Sequence, residues 1–270
     1  MPQCSQPRRD ILDNMVCLKP GSSTHSSSEW CGDLEQWLDQ LPIISEKFLA
    51  EHQRPLVTVA YAQSVDGSIA TRNREQLRLS GQQSMIVTHR IRAACDAIVI
   101  GINTLLIDNP LLTVRLAEGQ SPQPIVLDSK LRIPLQVRLL DRTDQRCWVA
   151  CTHKSDPERI SEVEGRGAEI IRCRHNGQGW VDLPHLLQQL GERGIRSIMV
   201  EGGGQVITSF IEARLVDQMI ITIAPRLVGG LAVLDRPAVC KGALLHLNPV
   251  SYQPCGPDLI LWAQPQWQDT

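Results

Sequence analysis

The sequence has no run of apolar residues approaching the ~20 that a membrane-spanning helix requires. Its opening stretch, MPQCSQPRRDILDNMVCLKP, lacks the apolar core of a secretory signal. No Cys-x-x-Cys pair occurs, and the nine cysteines are odd in number. Cys95, Cys147 and Cys173 sit in or beside apolar runs, where a reduced cysteine behaves as a small hydrophobe. These features argue against a disulfide framework and predict a soluble, cytoplasmic protein with reduced thiols. Charge of one sign is missing too. A formal net charge of −2 gives no global preference for nucleic acid or an anionic membrane. Aromatic residues are scarce in a composition otherwise ordinary for a globular domain. The histidines include no His-Glu-x-x-His, no Cys/His cluster has zinc spacing, and no Gly-x-Ser-x-Gly elbow occurs. A metallohydrolase and a serine hydrolase are disfavoured, and no metal is expected. A chemistry in which a bound cofactor does the hard step remains.

What is present begins with length. The 270 residues suit one large domain, or one domain with an extension. Residues 1–54 read as that extension. The stretch PGSSTHSSSEW is Ser-rich and reads as flexible linker. After it, Leu34, Trp37, Leu38 and Leu41 recur at helical spacing in DLEQWLDQL, which predicts a short amphipathic helix with Asp33 as its cap. Residues 55–270 alternate between strand and helix patterns. Strands are expected at PLVTVAYAQS, DAIVIG, QPIVLD, RCWVACT, AEIIRC, RSIMVE, QMIITIAP and DLILWA. Helices are expected over Gln82–Ala94, Asp156–Glu164, Asp182–Glu192 and Gly204–Arg214. Most strand runs are continuously apolar, as for strands buried on both faces. The fold class is therefore α/β with a mainly parallel central sheet. After Met219–Ala224 no helix pattern precedes DLILWA, which predicts antiparallel strands at the C-terminal end.

The stretch VEGGGQVITSF carries chemistry. A strand ends in Glu201, three glycines follow, and a helix opens. Glycines are costly in backbone entropy but let the chain come close to a phosphate, which free N–H groups and the helix dipole then stabilise. Rossmann spacing fails because Ile207 stands where its third glycine belongs, and no Gly-Lys-Ser/Thr of a Walker loop follows. The competing reading is a tight turn where the helix packs close on the sheet. Elsewhere, Asp66-Gly67 reads as a turn. Gly101 ends a strand, Asn103 and Thr104 suit a helix start, and Asp108-Asn109-Pro110 breaks that helix. Asp108 and Arg115 flank an apolar stretch. His89 and Arg92 stand three apart on one helical face, a pattern that more often marks a solvated face than a site. Ser129, Lys130 and Arg132 follow another strand. In open α/β sheets ligands bind beyond the carboxyl ends of the strands. Gly101–Asp108, Ser129 and Gly202–Gly204 should then meet on one rim, around something anionic, with Arg92 and Arg115 as further contacts.

Four stretches, VAYAQSVDGSIA, SGQQSMIVTHRIRAACDAIVIGINTLLIDNPLLTVR, PIVLDSKLRIP and VEGGGQVITSFIEARLVDQMIITIAPRLVGG, together resemble the reductase domain of riboflavin biosynthesis, from about Pro55 to Ala263. The resemblance implies a dihydrofolate-reductase-like fold. It implies NADPH-dependent reduction of a 5-amino-6-(5-phosphoribosylamino)pyrimidine to the 5-phosphoribitylamino compound. Cofactor contacts would fall to Ala62, Thr104, Asp108, Ser129 and the turn Gly202, Gly203, Gly204, Gln205, Val206, Ile207, Thr208 and Ser209. Substrate contacts would fall to Arg92, Leu112, Arg115 and Glu201, the arginines suiting a sugar phosphate. Asp108 and Glu201 are the carboxylates available to move a proton. Read from the residues themselves, Ser129, Lys130 and Arg132 suit a 2′-phosphate, and the competing reading is the ordinary run of basic residues after a strand. Where fused bacterial members carry a tryptophan against the cofactor, Arg78 stands here. The zinc-deaminase signature of those members is absent from this sequence, so reduction without deamination is expected. A homodimer is expected from the family. A non-catalytic nucleotide-binding protein, or a reductase of a pterin-like heterocycle on the same fold, are the alternatives.

Overall fold

The structure, a computed structural model, describes residues 34–75, 77–234, 236 and 245–267. The Ser-rich stretch and the expected cap Asp33 lie outside the described residues. Six helices are described: α1 (Leu34–His52), α2 (Gln82–Ala94), α3 (Ile102–Asp108), α4 (Pro157–Gly165), α5 (Leu183–Glu192) and α6 (Gly204–Glu212). The strands are β1 (Leu56–Ser64), β2 (Ser68–Ala70), β3 (Ala97–Gly101), β4 (Gln123–Leu127), β5 (Trp148–Thr152), β6 (Glu169–Cys173), β7 (Ser197–Val200), β8 (Gln218–Ala224), β9 (Leu231–Ala232), β10 (Leu245–Cys255) and β11 (Asp258–Trp267). Nine of them form one sheet in the order β10-β11-β8-β1-β7-β3-β4-β5-β6. From β8 to β6 every neighbour is parallel; β11 on β8 and β10 on β11 are antiparallel. This is the mixed, mainly parallel sheet with a C-terminal antiparallel pair that the sequence predicts. β2 and β9 form a separate two-stranded ribbon.

The strand runs explain their own places. All residues of β3 and β7 are buried, as befits centre strands covered on both faces. Helices pack on each face, over two apolar clusters. Two helix starts shift by one residue from expectation for the same reason. Asp156 and Asp182 lie outside α4 and α5 as caps, accepting from the N–H of Glu158 and of His185.

The N-terminal helix differs more. It runs 19 residues rather than nine, straight through Pro42 to His52. Proline removes one N–H from the ladder, and at sequence level it reads as a stop. Packing overrides it. Leu34, Trp37, Leu38 and Leu41 are buried, and the Trp37 ring meets Trp262 of β11 with centroids 5.6 Å apart. The Glu35–Arg90 ion pair ties the same helix to α2. Among the described residues, no helix is long and apolar enough to cross a membrane.

The parallel strands share one polarity. Their carboxyl ends bring Ala62, Gly101, Leu127 and Glu201 to the same edge of the sheet.

Candidate active site

A cleft of about 1910 Å³ opens along that edge. Ala62, Arg92, Thr104, Asp108, Leu112, Arg115, Ser129, Glu201, Gly202, Gly203, Gly204, Gln205, Val206, Ile207 and Ser209 all line it. Of the residues expected there, Thr208 alone does not. It is fully buried on the inner face of α6, where the helical twist turns that position away from the cleft and toward the core.

The glycines of the turn have protein neighbours of their own. A Cβ on Gly202 would lie 2.6 Å from the Val206 side chain, and one on Gly101 would meet the same valine at 2.6 Å. A Cβ on Gly204 would lie 2.6 Å from the Val233 carbonyl oxygen. Close packing of α6 on β3 and on Val233, the residue that follows β9, therefore requires glycine at 101, 202 and 204. Gly203 is different. Its nearest obstacle is Thr104 Oγ1 at 3.3 Å, which a methyl group meets only tightly. The Gly203 N–H donates to that oxygen at 3.0 Å, so α3 fixes the mouth of the turn.

α6 starts at Gly204 without a side-chain cap and without a carboxylate in its first turn. Among the described residues the N–H groups of Gly204 and Gln205 have no acceptor. Unclaimed amides at a positive helix end, facing a cleft, fit an anionic group such as a dinucleotide pyrophosphate. Lys130 and Arg132 line the cleft farther along, past β4. Arg132 is held by Asp128 only at 3.4 Å, and half of its side chain is exposed. Ser129 Oγ accepts from the Val181 N–H at 3.0 Å, which brings the segment carrying Trp180 to the same wall. Trp180 and Tyr61 are the aromatic residues of the lining; the sequence reading singled out neither, because nothing in their local spacing distinguishes them from core aromatics.

The other flank carries the arginines. The Glu201 N–H donates to the Val99 carbonyl at 3.0 Å and prolongs the β7–β3 ladder by one residue. That places the carboxylate at the strand end. Arg92 Nε and Nη2 donate to its two oxygens, each at 2.6 Å. Burial opposes the charge on Arg92, and the Glu201 carboxylate more than offsets it, so the guanidinium holds its proton more tightly than a free one. His89 and Arg92 are thus not a solvated face. His89 is fully buried and Arg92 nearly so, because α2 lays that face against the segment Pro110–Arg115. Arg115 remains exposed at the rim, and its Nη1 donates to Thr113 Oγ1 at 2.9 Å. Leu112 turns this segment through a left-handed backbone, φ 56°, and buries its own side chain against the cleft. Burial pushes the Asp108 carboxyl above the ordinary range. It pushes His89 the other way, and Arg92 and Arg115 add to the effect against the opposing pull of Glu201. Among the described residues, no group of three His, Cys, Asp or Glu side chains is placed to hold a metal.

The sequence model of the RibD C-terminal domain matches residues 55–261. The 2,5-diamino-6-ribosylamino-4(3H)-pyrimidinone 5′-phosphate reductase of Archaeoglobus fulgidus is 39% identical over 199 residues, 70% of this chain and 87% of that protein. The protein of the same name from Aquifex aeolicus is 34% identical over 219 residues, 77% of this chain and 95% of that one. Among solved structures, Acinetobacter baumannii RibD superposes with a TM-score of 0.72 at 22% identity, covering 83% of this chain and 61% of that one, a likeness of fold. The Saccharomyces cerevisiae riboflavin biosynthesis reductase Rib7 gives a TM-score of 0.65 at 26% identity, covering 84% of this chain and all of that one (100%). The chain thus spans most of the reductases it matches but about three-fifths of RibD. With a match over residues 55–261 and relatives above one-third identity, the chain belongs to the RibD C-terminal domain family.

Proposed function

We propose that this chain is the reductase that converts a 5-amino-6-(5-phosphoribosylamino)pyrimidine to its 5-phosphoribitylamino product in riboflavin biosynthesis, using NADPH and without deamination. One observation carries the reading. A single cleft has uncapped helix amides on one flank and an arginine-bound carboxylate beside a rim arginine on the other, in a chain 39% identical to a reductase of this name.

NADPH, when bound, supplies a hydride for the sugar carbon C1′. The chain's own residues bind and orient. Gly204 and Gln205 offer backbone N–H groups to phosphate, while Thr104 holds the Gly203 N–H and braces the turn. Lys130 and Arg132 offer cations for a 2′-phosphate, which is the basis for preferring NADPH to NADH. Arg115 offers its guanidinium to the sugar phosphate. Both Glu201 oxygens accept from Arg92, so Glu201 is an orienting acceptor for substrate hydroxyls or amines. Asp108, whose proton affinity burial raises, is the group that holds and delivers a proton. A cytoplasmic homodimer belongs to the same proposal.

The test is NADPH oxidation by the purified chain with the ribosylaminopyrimidine phosphate, in its diaminopyrimidinone and uracil forms. Turnover of either supports the proposal and ranks the two. Binding of NADPH with turnover of neither, or turnover of a dihydropterin instead, refutes it.

A further inference from the structure

Pro110–Arg115 has neither helix nor strand, yet it carries the rim arginine. Each of its last three residues is held by a side chain. Arg92 Nη1 donates to the Thr113 carbonyl at 3.3 Å, the Val114 N–H donates to Ser121 Oγ at 3.1 Å, and the Arg115 N–H donates to His89 Nδ1 at 3.0 Å. The last bond fixes the tautomer. With Nδ1 accepting, the ring proton of neutral His89 is on Nε2. That Nε2 is buried and has no partner among the described residues. An apolar side chain of similar size would fill the space without burying an unpaired N–H. What histidine adds at position 89 is the acceptor at Nδ1.

We infer that His89 is a positioning residue. By accepting the Arg115 N–H it sets where the strap Thr113–Arg115 leaves the core, and so where the Arg115 guanidinium meets the substrate's phosphate. The inference rests on the proposed function for its substrate, but its geometry stands apart from it. His89 does not line the cleft. It acts through the strap, while Arg92, on the same helix face, serves both the strap and Glu201.

Three variants test this. Asparagine keeps an acceptor near the Nδ1 position, glutamine moves it outward, and leucine removes it. His89→Leu should raise KM for the phosphorylated substrate by about tenfold, lower kcat by less than about threefold, and leave the Kd for NADPH unchanged. His89→Asn should restore KM to within about threefold of the parent, and His89→Gln should not. Amide exchange of Arg115 supplies a readout that needs no activity. Protection should be high in the parent and in His89→Asn, and lost in His89→Leu and His89→Gln. If the leucine variant does not fold, the asparagine–glutamine pair decides. Equal KM and equal Arg115 protection in that pair would overturn the inference, as would a parental KM in His89→Leu. A parent chain inert toward the substrate would sink the functional reading alone, and the exchange measurement would still decide the role of His89.

Discussion

Arg92 and Glu201 divide labour with Arg115 in a way that follows from their bonds. A bidentate guanidinium–carboxylate pair with both partners largely buried is a fixed unit, and breaking one half strands the other charge. Among the described residues Arg115 has no carboxylate partner of this kind; its guanidinium donates to the Thr113 hydroxyl. Arg115→Ala should therefore raise KM for the phosphorylated substrate by about tenfold or more with a smaller loss in kcat. An unchanged KM would remove Arg115 from the phosphate contact. Asp108 gives a second prediction. Its carboxyl is raised by burial, so the folded chain binds that proton more tightly than the unfolded chain. The stabilising contribution is complete below the unfolded value near 4 and is lost as pH rises through the higher folded value. Asp108→Asn should thus melt higher than the parent at neutral pH and show no such gain at acid pH. In the same variant kcat should fall by about a hundredfold, with the alkaline limb of the rate profile gone. Melting curves at the two pH values and a kcat–pH profile check both halves. A full rate with the alkaline limb intact would exclude Asp108 as the proton donor.

At the level of elements, the turn between β7 and α6 combines two demands that the glycine run expresses together. Glycine at 101 and 202 makes room for Val206, and glycine at 204 makes room for the Val233 carbonyl just after β9. Gly203 sits with its N–H on Thr104 at the entrance to the cleft. Gly202→Ala should destabilise the fold by about 1–3 kcal/mol through overpacking, and Val206→Ala should not recover most of that loss in the double variant, because the Val206 Cβ itself lies 2.6 Å from a Cβ at 202. Gly203→Ala should keep the parent's melting temperature within about 2 °C, since the methyl meets only a hydroxyl, and weaken NADPH binding instead. Chemical denaturation of the four proteins and a cofactor titration check this. A stability loss at 203 as large as that at 202 would remove the distinction. Helix α1 shows the reverse relation between sequence and element. Its apolar spacing is legible as far as Leu41, and its continuation past Pro42 is not, because the reason lies in β11 rather than in the local sequence.

For the whole molecule, seven parallel strands with common polarity produce one rim, and one rim produces one cleft. The antiparallel pair β10–β11 forms one edge of the sheet and offers Trp262 as the surface on which α1 rests. Trp262 is itself fixed, its Nε1–H donating to Gln218 Oε1 at 3.0 Å. Trp37→Ala should cost about 3–5 kcal/mol, the penalty of emptying a large aromatic site. The Kd for NADPH should not move, since Trp37 does not line the cleft. Denaturant melts beside a cofactor titration measure both. A cost below about 1 kcal/mol would mean that α1 is loosely held.

The sequence by itself determined the order and type of the elements, since apolar spacing, glycines and caps act within a few residues of one another. β10 itself is not legible in that way, but eight of the nine strands of the main sheet, the helix Gln82–Ala94, the helix expected over Gly204–Arg214 that ends at Glu212, and the antiparallel character of the C-terminal end are. So is the rim, because parallel strands put their carboxyl ends together whatever follows them. Tertiary structure alone decided which side chains pair. Arg92 meets Glu201 across 109 positions of chain, and His89 meets the Arg115 backbone through a strap without regular structure. It also decided that Thr208 faces inward, that α1 crosses a proline, and that three glycines answer to Val206 and Val233. These are contacts between segments distant in sequence, made only once the sheet has brought them within reach. No local pattern encodes them, because each depends on the shape of a neighbour that the chain supplies elsewhere.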